Sequence, residues 1–316
     1  MTHTVSRRSF VVSAAAMALS MPLLTRAVVA ASQSGTPAAG LDALGLPALN
    51  ITITADAYEG VPTSTAAGRY LVTATGDAES TISFLQPVGM SVDDFFNALQ
   101  GGGESSPASD GGTPASGDEG GSSAPPPFFY EFLLAGGVIA EPGQKNQAVI
   151  DLTPGDWVAW GDDPEAKQKP VTFTVTGEMP ADLPEPKANA TVTFTDFEIN
   201  ITEGELASGD NVIRLENKGA QPHFLILMKG PDDMTKDQIK GAVEADMSGT
   251  PVAGGLDPNK DLMPVVSTAT QSKGTTMWFT ATLEPGTYAA LCFFPDEKTG
   301  MPHAAMGMYN VFKVAK

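Results

Sequence analysis

The chain of 316 residues is long enough for two ordinary domains, each with its own core. It has 37 acidic and 18 basic residues, and the resulting net charge of −19 argues against nucleic acid and anionic membrane surfaces as partners. A single cysteine excludes an internal disulfide, and 33 glycines with 25 prolines and only 17% charged residues favour a β-rich fold over a helical one.

Residues 1–30 have the pattern of an export signal. Arg7 and Arg8 precede the apolar run VVSAAAMALSMPLL, and small residues follow around Ala30. The arginine pair in this setting resembles a twin-arginine (Tat) signal, and an ordinary signal with a chance arginine pair is the alternative. No later apolar run approaches the ~18 residues of a membrane span. We therefore expect a periplasmic or extracellular protein without an integral span in the mature chain, and leave open whether the signal is cleaved.

Two segments have low complexity. Residues 31–48 are rich in Ser, Gly, Pro and Ala, which predicts a flexible linker. Residues 101–127, GGGESSPASDGGTPASGDEGGSSAPPP, contain almost no side chains that could enter a core, which predicts a disordered loop.

The rest of the chain repeats itself, with one copy in residues 49–178 and the other in residues 188–316. LTPGDWVAW and LEPGTYAAL align without a gap, and each copy places a helix with a cap signal, Ser91 or Thr235, after its second long strand. The other segments are short, alternate in polarity and are bounded by Gly, Pro and Asn. The sequence predicts an all-β protein of two tandem antiparallel β-sandwiches, each with a short helix insertion.

Few side chains of the mature chain are soft or nitrogen ligands. His223 ends the loop NKGAQPH, Cys292 ends the strand TYAALC, and His303 and Met308 follow on the loop before the last strand. In a sandwich, a strand end and two such loops can meet at one pole. Two imidazoles, a thiolate and a weak axial thioether form the ligand set of a type 1 copper site.

These motifs resemble the cupredoxins, the family of plastocyanin, azurin and the copper domains of nitrite reductases. NKGAQPH resembles the loop with the first His ligand, LEPGTYAALC the strand that ends in the Cys ligand, and HAAMGM has the plastocyanin-like His-to-Met spacing. The resemblance implies Greek-key sandwiches and one copper ion that alternates between Cu(I) and Cu(II). It assigns the metal to four side chains: His223, Cys292, His303 and Met308.

The loop between Cys292 and His303 holds ten residues and is longer than in the small cupredoxins. The length of this loop affects the positions of the second His and of the axial Met. Met306 and Met301 are the alternatives to Met308.

The first copy provides an internal comparison. Alignment of the repeats places Thr81 opposite His223 and Gly161 opposite Cys292, and the stretch after Pro164 contains neither His nor Met. The N-terminal sandwich should therefore bind no copper.

Two-domain cupredoxins include enzymes, but the residue counts favour a carrier. A nitrite reductase needs a His beside the Cys, whereas Phe293 follows Cys292, and no His-x-His pair is present for a trinuclear centre. We expect no catalytic residues and a one-electron carrier. Its redox partner, such as a cytochrome, an oxidase or a reductase, would dock near Met301, Pro302 and Ala305. A copper chaperone or storage protein and a metal-free scaffold are the alternatives.

Overall fold

The computed structural model describes residues 41–76, 80–101, 127–140, 143, 145–161, 168–249 and 255–315. The predicted signal, most of the linker and nearly all of the low-complexity loop lie outside these residues. No helix within the described ranges is long and apolar enough to cross a membrane.

The N-terminal half contains nine strands and one helix among its described residues. Short 3₁₀ helices at Asp42–Leu44 and Pro127–Tyr130 precede β1 and β6. The elements are β1 (Ala48–Ile53), β2 (Tyr58–Glu59), β3 (Ser64–Ala66), β4 (Gly68–Gly76), β5 (Ser80–Gln86), α1 (Val92–Gly101), β6 (Leu133–Ala140), β7 (Asn146–Leu152), β8 (Gly155–Trp160) and β9 (Val171–Thr176).

The C-terminal half contains eight strands and two helices in its described part. A 3₁₀ helix at His303–Met306 precedes the last strand. The elements are β10 (Ala190–Thr195), β11 (Glu198–Gly204), β12 (Gly209–Asn217), β13 (Ile226–Gly230), α2 (Lys236–Ser248), α3 (Pro258–Asp261), β14 (Met263–Ser267), β15 (Thr276–Leu283), β16 (Gly286–Leu291) and β17 (Tyr309–Val314).

The predicted helix caps are present. The Ser91 hydroxyl accepts a bond from the backbone N–H of Asp94, and Thr235 forms a reciprocal capping box with Gln238. Strand polarity also follows the sequence, since β1 alternates exposed and buried residues and turns Leu49, Ile51 and Ile53 toward the core.

Eight strands from both halves form one continuous sheet in the order β11-β10-β12-β15-β7-β4-β1-β2. β15 meets β7 at the pairs Trp278–Val149 and Phe279–Ala148. β7 and β15 are equivalent strands of the repeat. Equivalent strands of the two halves therefore follow in the same order outward from this junction. Two smaller sheets, β14-β13-β16-β17 and β3-β9-β8-β5-β6, complete the two sandwiches.

The sheets are mixed rather than purely antiparallel as the sequence indicated. β1 runs parallel to β4, β10 to β12 and β3 to β9. Side chains alternate with a period of two in both kinds of pairing, so polarity patterns do not reveal strand direction.

Candidate metal centre

The C-terminal sandwich brings the four predicted ligands to one pole. His223 lies between β12 and β13 and exchanges two backbone hydrogen bonds with Gln271. Cys292 directly follows β16, and its N–H donates to the carbonyl of Met308 (3.3 Å). His303 begins the 3₁₀ helix that ends before Met308, and the His303 carbonyl accepts from the Met308 N–H (2.9 Å). The strand end and the two loops therefore meet as predicted.

The side chains of His223, Cys292 and His303 form a compact triangle of ligand atoms. The two Nδ1 atoms are 3.0 Å apart, and the Sγ atom is 3.7 Å from each of them. A point equidistant from the three atoms lies about 2.0 Å from each, close to the ~2.0–2.3 Å of metal bonds to imidazole and thiolate. All three side chains are buried. The donor set and its spacing thus fit one soft or borderline metal ion.

Polar partners hold the outer nitrogen of each imidazole. Nε2 of His223 is 3.3 Å from Oδ1 of Asp196, and Nε2 of His303 is 3.4 Å from Oε1 of Gln221. Both partners are hydrogen-bond acceptors, which favours the proton on Nε2 and leaves Nδ1 of each ring as the metal donor. Such outer bonds fix the tautomer and ring orientation of metal-binding histidines.

Burial keeps the metal-free centre uncharged near neutral pH. It raises the pKa of the Cys292 thiol to about 12, although backbone hydrogen bonds from Phe224 and Phe294 act in the opposite direction. Burial lowers the pKa of His223 to about 4 despite the nearby Asp196. Burial and the adjacent His223 lower the pKa of His303 to about 3. Metal binding as a thiolate therefore requires release of the Cys292 proton.

Aromatic rings cover the two imidazoles. Phe194 lies 5.5 Å from the ring of His223, while Phe197 and Phe294 lie 5.3 and 6.0 Å from the ring of His303. Phe197 has a φ of 65°, a left-handed conformation that is unfavourable for a residue with a bulky side chain. His303 is fully buried beneath this cover.

Asn217 and Gly219 shape the loop that ends in His223. The Asn217 side-chain amide donates to the carbonyls of Gln221 and Gln271, and its oxygen accepts from the Gly219 N–H. A Cβ at Gly219 would lie 2.5 Å from Asp196 Oδ1 and 2.6 Å from His223 Nε2. The loop thus needs a residue without a side chain at this position.

The methionines differ in burial. Met308 is fully buried, and its backbone bonds to both Cys292 and His303. Met301 and Met306 are 43% and 38% exposed. Burial beside the other ligands favours Met308 as the axial donor over the two alternatives.

Three polar residues that steady the ligands were not among the sequence candidates: Asp196, Gln221 and Asp296. Gln221 donates to Asp296 Oδ1 (2.8 Å), and Asp296 Oδ2 accepts from Thr299. Burial opposes ionisation of Asp296, but the bonds from Gln221 and Thr299 outweigh it and lower the pKa of its carboxyl. The turn residues in DEKTG were the one available signal for this position.

The N-terminal half has different chemistry at the equivalent pole. A Cβ at Gly161 would lie 2.1 Å from the hydroxyl oxygen of Tyr58, so this hydroxyl occupies space beside the position that corresponds to Cys292. Trp160 and Leu291 are equivalent positions of the repeat, and they pair with Ser83 and Ile226 respectively. Ser83 is therefore the equivalent of Ile226. Three residues earlier, Ser80, rather than Thr81, is the equivalent of His223. The alignment was wrong by one residue because hydrogen-bond register is not visible in the sequence.

No family model and no curated protein matches this chain. Among solved structures, the reduced auracyanin of the photosynthetic bacterium Roseiflexus castenholzii is 23% identical, covers 40% of this chain and 95% of its own, and gives a TM-score of 0.27. Auracyanin A of Chloroflexus aurantiacus, described as a "blue" copper protein, is 22% identical over 39% of this chain and 95% of its own, with a TM-score of 0.26.

A copper nitrite reductase from Nitrosomonas europaea covers 85% of this chain and 94% of its own, at 10% identity and a TM-score of 0.22. A β-sandwich with two imidazoles, a thiol and a buried methionine at one pole is the arrangement that the resemblance to the cupredoxins predicts. That the four side chains bind copper stays a prediction.

Proposed function

We propose that the protein is an exported blue copper protein that carries one electron at a time between redox partners. The observation that carries the proposal is the buried triangle of His223, Cys292 and His303, with its centre about 2.0 Å from each ligand atom. Two imidazoles and a thiolate with a weak thioether donor are the donor set typical of blue copper sites. Met308 supplies the fourth donor in the proposal.

Copper at this site would supply a one-electron couple between Cu(I) and Cu(II). The chain's part is to hold the donors in one geometry for both oxidation states. Asp196 and Gln221 fix the imidazole rings, and the backbone N–H groups of Phe224 and Phe294 bond to the Cys292 sulfur. Phe197 and Phe294 exclude water from His303. A fixed, dry donor set keeps the rearrangement for each electron small.

The residue counts favour a carrier over an enzyme. After the predicted signal the chain has two histidines, and both belong to this centre. No imidazole is left for the second copper centre of a nitrite reductase or an oxidase. The N-terminal sequence supports export in this proposal, since Arg7, Arg8 and the apolar run after them resemble a Tat signal.

We propose that the redox partner docks on the face formed by the 3₁₀ helix after His303 and by α2. Met306 from the 3₁₀ helix, Met301 just before that helix and Met247 from α2 are 38–43% exposed and line one groove beside the centre. Exposed apolar side chains of this size are typical of contact surfaces. The same thioethers are compatible with copper exchange, so a chaperone or storage protein is the second candidate function.

The test begins with residues 31–316 and one equivalent of Cu(II). We expect an intense blue or green charge-transfer band with a type 1 EPR signal, and loss of both in Cys292→Ser. Met308→Leu should shift the band and the reduction potential, whereas the exposed Met306→Leu should change neither. The bound copper should also be reduced and reoxidised reversibly.

A colourless sample with only weak Cu(II) binding would contradict the carrier. Tight Cu(I) binding in that sample would then support the chaperone or storage function. Absence of Cu(I) binding would leave the metal-free scaffold.

A further inference from the structure

The N-terminal half contacts the loop that joins Cys292 to His303. Tyr130, in the 3₁₀ helix before β6, donates a hydrogen bond from its hydroxyl to the Pro295 carbonyl (3.0 Å). Its ring packs edge-on against Phe294 at 5.7 Å. Burial, Asp296 and Glu297 all raise the pKa of Tyr130, so the hydroxyl stays protonated and remains a donor. One residue of the first half therefore holds two successive residues of this loop.

Phe294 in turn touches both ends of the loop. Its N–H bonds to the Cys292 sulfur, and its carbonyl accepts from the His303 N–H (2.9 Å). Its ring lies 6.0 Å from the imidazole of His303. Movement of Phe294 would therefore change both the thiolate environment and the position of the second imidazole.

A second contact reaches the other histidine. The Ser272 hydroxyl donates to the Phe132 carbonyl and accepts from the Leu134 N–H, and the Ser272 N–H donates to the Leu134 carbonyl. The preceding residue, Gln271, exchanges backbone bonds of 2.9 and 2.8 Å with His223. Ala135 of β6 also forms an antiparallel bridge with Gln271, so β6 lies directly beside the residue that holds the His223 backbone.

We propose that the N-terminal half is a positioning element for the metal centre, acting through Tyr130 on the Cys292–His303 loop and through Ser272 on His223. The first contact ends on the loop between two ligands, and the second ends on Ser272, next to the residue that holds the His223 backbone. The first half would then fix the donor geometry although it contributes no ligand of its own. The consequence for electron transfer rests on the proposed function, whereas the positioning itself can be tested without metal.

The first experiment uses amide hydrogen exchange of the metal-free protein with Tyr130→Phe, Ser272→Ala and a control. Tyr70→Phe is the control because it also removes one tyrosine hydroxyl, bonded to Ala66 and Thr65 within the first half. Tyr130→Phe should speed exchange at residues 294–303 about fivefold, the effect of losing one net hydrogen bond. Ser272→Ala should speed amide exchange at His223 and Gln271.

Each variant should affect its own segment, and Tyr70→Phe should affect neither. Equal exchange in Tyr130→Phe and Tyr70→Phe across residues 294–303 would overturn the proposal. Exchange that becomes uniformly faster along the whole chain in Tyr130→Phe and Ser272→Ala would also overturn it, because that pattern would indicate general destabilisation.

The second experiment uses the copper-loaded protein. Tyr130→Phe and Ser272→Ala should shift the charge-transfer band, the EPR hyperfine splitting and the reduction potential, and Tyr70→Phe should leave all three unchanged. Unchanged spectra in both site variants would overturn the proposal. If wild-type protein forms no blue centre, the proposed function fails, and the hydrogen-exchange pattern alone decides whether the first half positions these segments.

Discussion

A polar side chain contacts the outer nitrogen, Nε2, of both His223 and His303. The inner nitrogen, Nδ1, of each ring faces the thiol of Cys292. Asp196 fixes the first ring and Gln221 the second, at 3.3 and 3.4 Å from the outer nitrogens. Loss of such an outer bond typically costs 10–100-fold in metal affinity. The residues around the ligands are therefore as informative to test as the ligands.

Gly219→Ala tests the fit behind His223. The new Cβ would meet Asp196 Oδ1 at 2.5 Å and His223 Nε2 at 2.6 Å, so the bond between these two groups must open. We expect copper affinity to fall about 10–100-fold, measured by competition with a chelator. Gly68→Ala is the matched control, because its Cβ would have only an ordinary contact of 3.8 Å with Tyr70. Equal affinity in the two variants would show that the Asp196 bond does not support the centre.

At the scale of single elements, the turn between β10 and β11 serves both histidines. Asp196 and Phe197 are its two residues, and they reach His223 and His303 respectively. The left-handed backbone of Phe197 costs about 1–2 kcal/mol. A strained bulky residue in a two-residue turn indicates that placing its ring over His303 outweighs the local cost.

Phe197→Gly separates the effect of the strained backbone from the effect of the Phe197 ring that covers His303. Glycine adopts the left-handed conformation freely, so relief of strain should offset lost packing and keep the free energy of unfolding within about 1 kcal/mol of wild type. Opening the cover over His303 should make copper removal by a chelator several-fold faster. Phe197→Tyr, which keeps both the ring and the strain, should release copper at the wild-type rate. A slow release from Phe197→Gly would indicate that other residues protect His303.

At the scale of the whole molecule, the two halves share a sheet and a core. A buried cluster of Leu41, Leu71, Val149, Val212 and Trp278 crosses the β7–β15 junction. Arg69 lies 4.3 Å above the ring of Trp278 and forms a two-pronged ion pair with Asp151. We therefore expect the described halves to unfold as one unit, and buried titratable groups in one half to set the stability of both.

The pH dependence of stability in the metal-free protein follows from the centre. In the unfolded chain both imidazoles bind protons near pH 6.5, but the fold delays this to about pH 4 for His223 and about pH 3 for His303. Below pH 6.5 the unfolded state binds more protons, so stability should fall by about 1.4 kcal/mol per pH unit per histidine. The Cys292 thiol ionises near pH 9 when unfolded and near pH 12 when folded, so stability should also fall above pH 9.

Urea unfolding between pH 4 and pH 11 measures both limbs. His303→Gln should lower the acid slope of the free energy of unfolding against pH by the equivalent of about one proton. Cys292→Ser should make the free energy of unfolding less dependent on pH above pH 9 than in wild type. Slopes that are identical in wild type and in both variants would show that these groups do not control the stability of the metal-free fold.

Features that depend on short stretches of the chain could be predicted before the fold was known. The repeat LTPGDWVAW and LEPGTYAAL, the helix caps at Ser91 and Thr235, and the types and spacing of the candidate ligands were all readable, because each depends on neighbouring residues or on a recurring pattern. These features were enough to predict the all-β class and the pole at which His223, Cys292 and His303 meet.

The contacts that hold those ligands could be identified only in the folded protein. Three features join segments that are far apart in the chain, and no local pattern reveals them: the parallel pairing of β10 with β12, the sheet shared across β7 and β15, and the bond that His223 donates to Asp196. Tyr130 and Pro295 are 165 residues apart in the chain and 3.0 Å apart in the fold. Hydrophobic alternation specifies which face of a strand is buried, but strand direction, register and the side chains that meet across a core follow from packing of the whole chain.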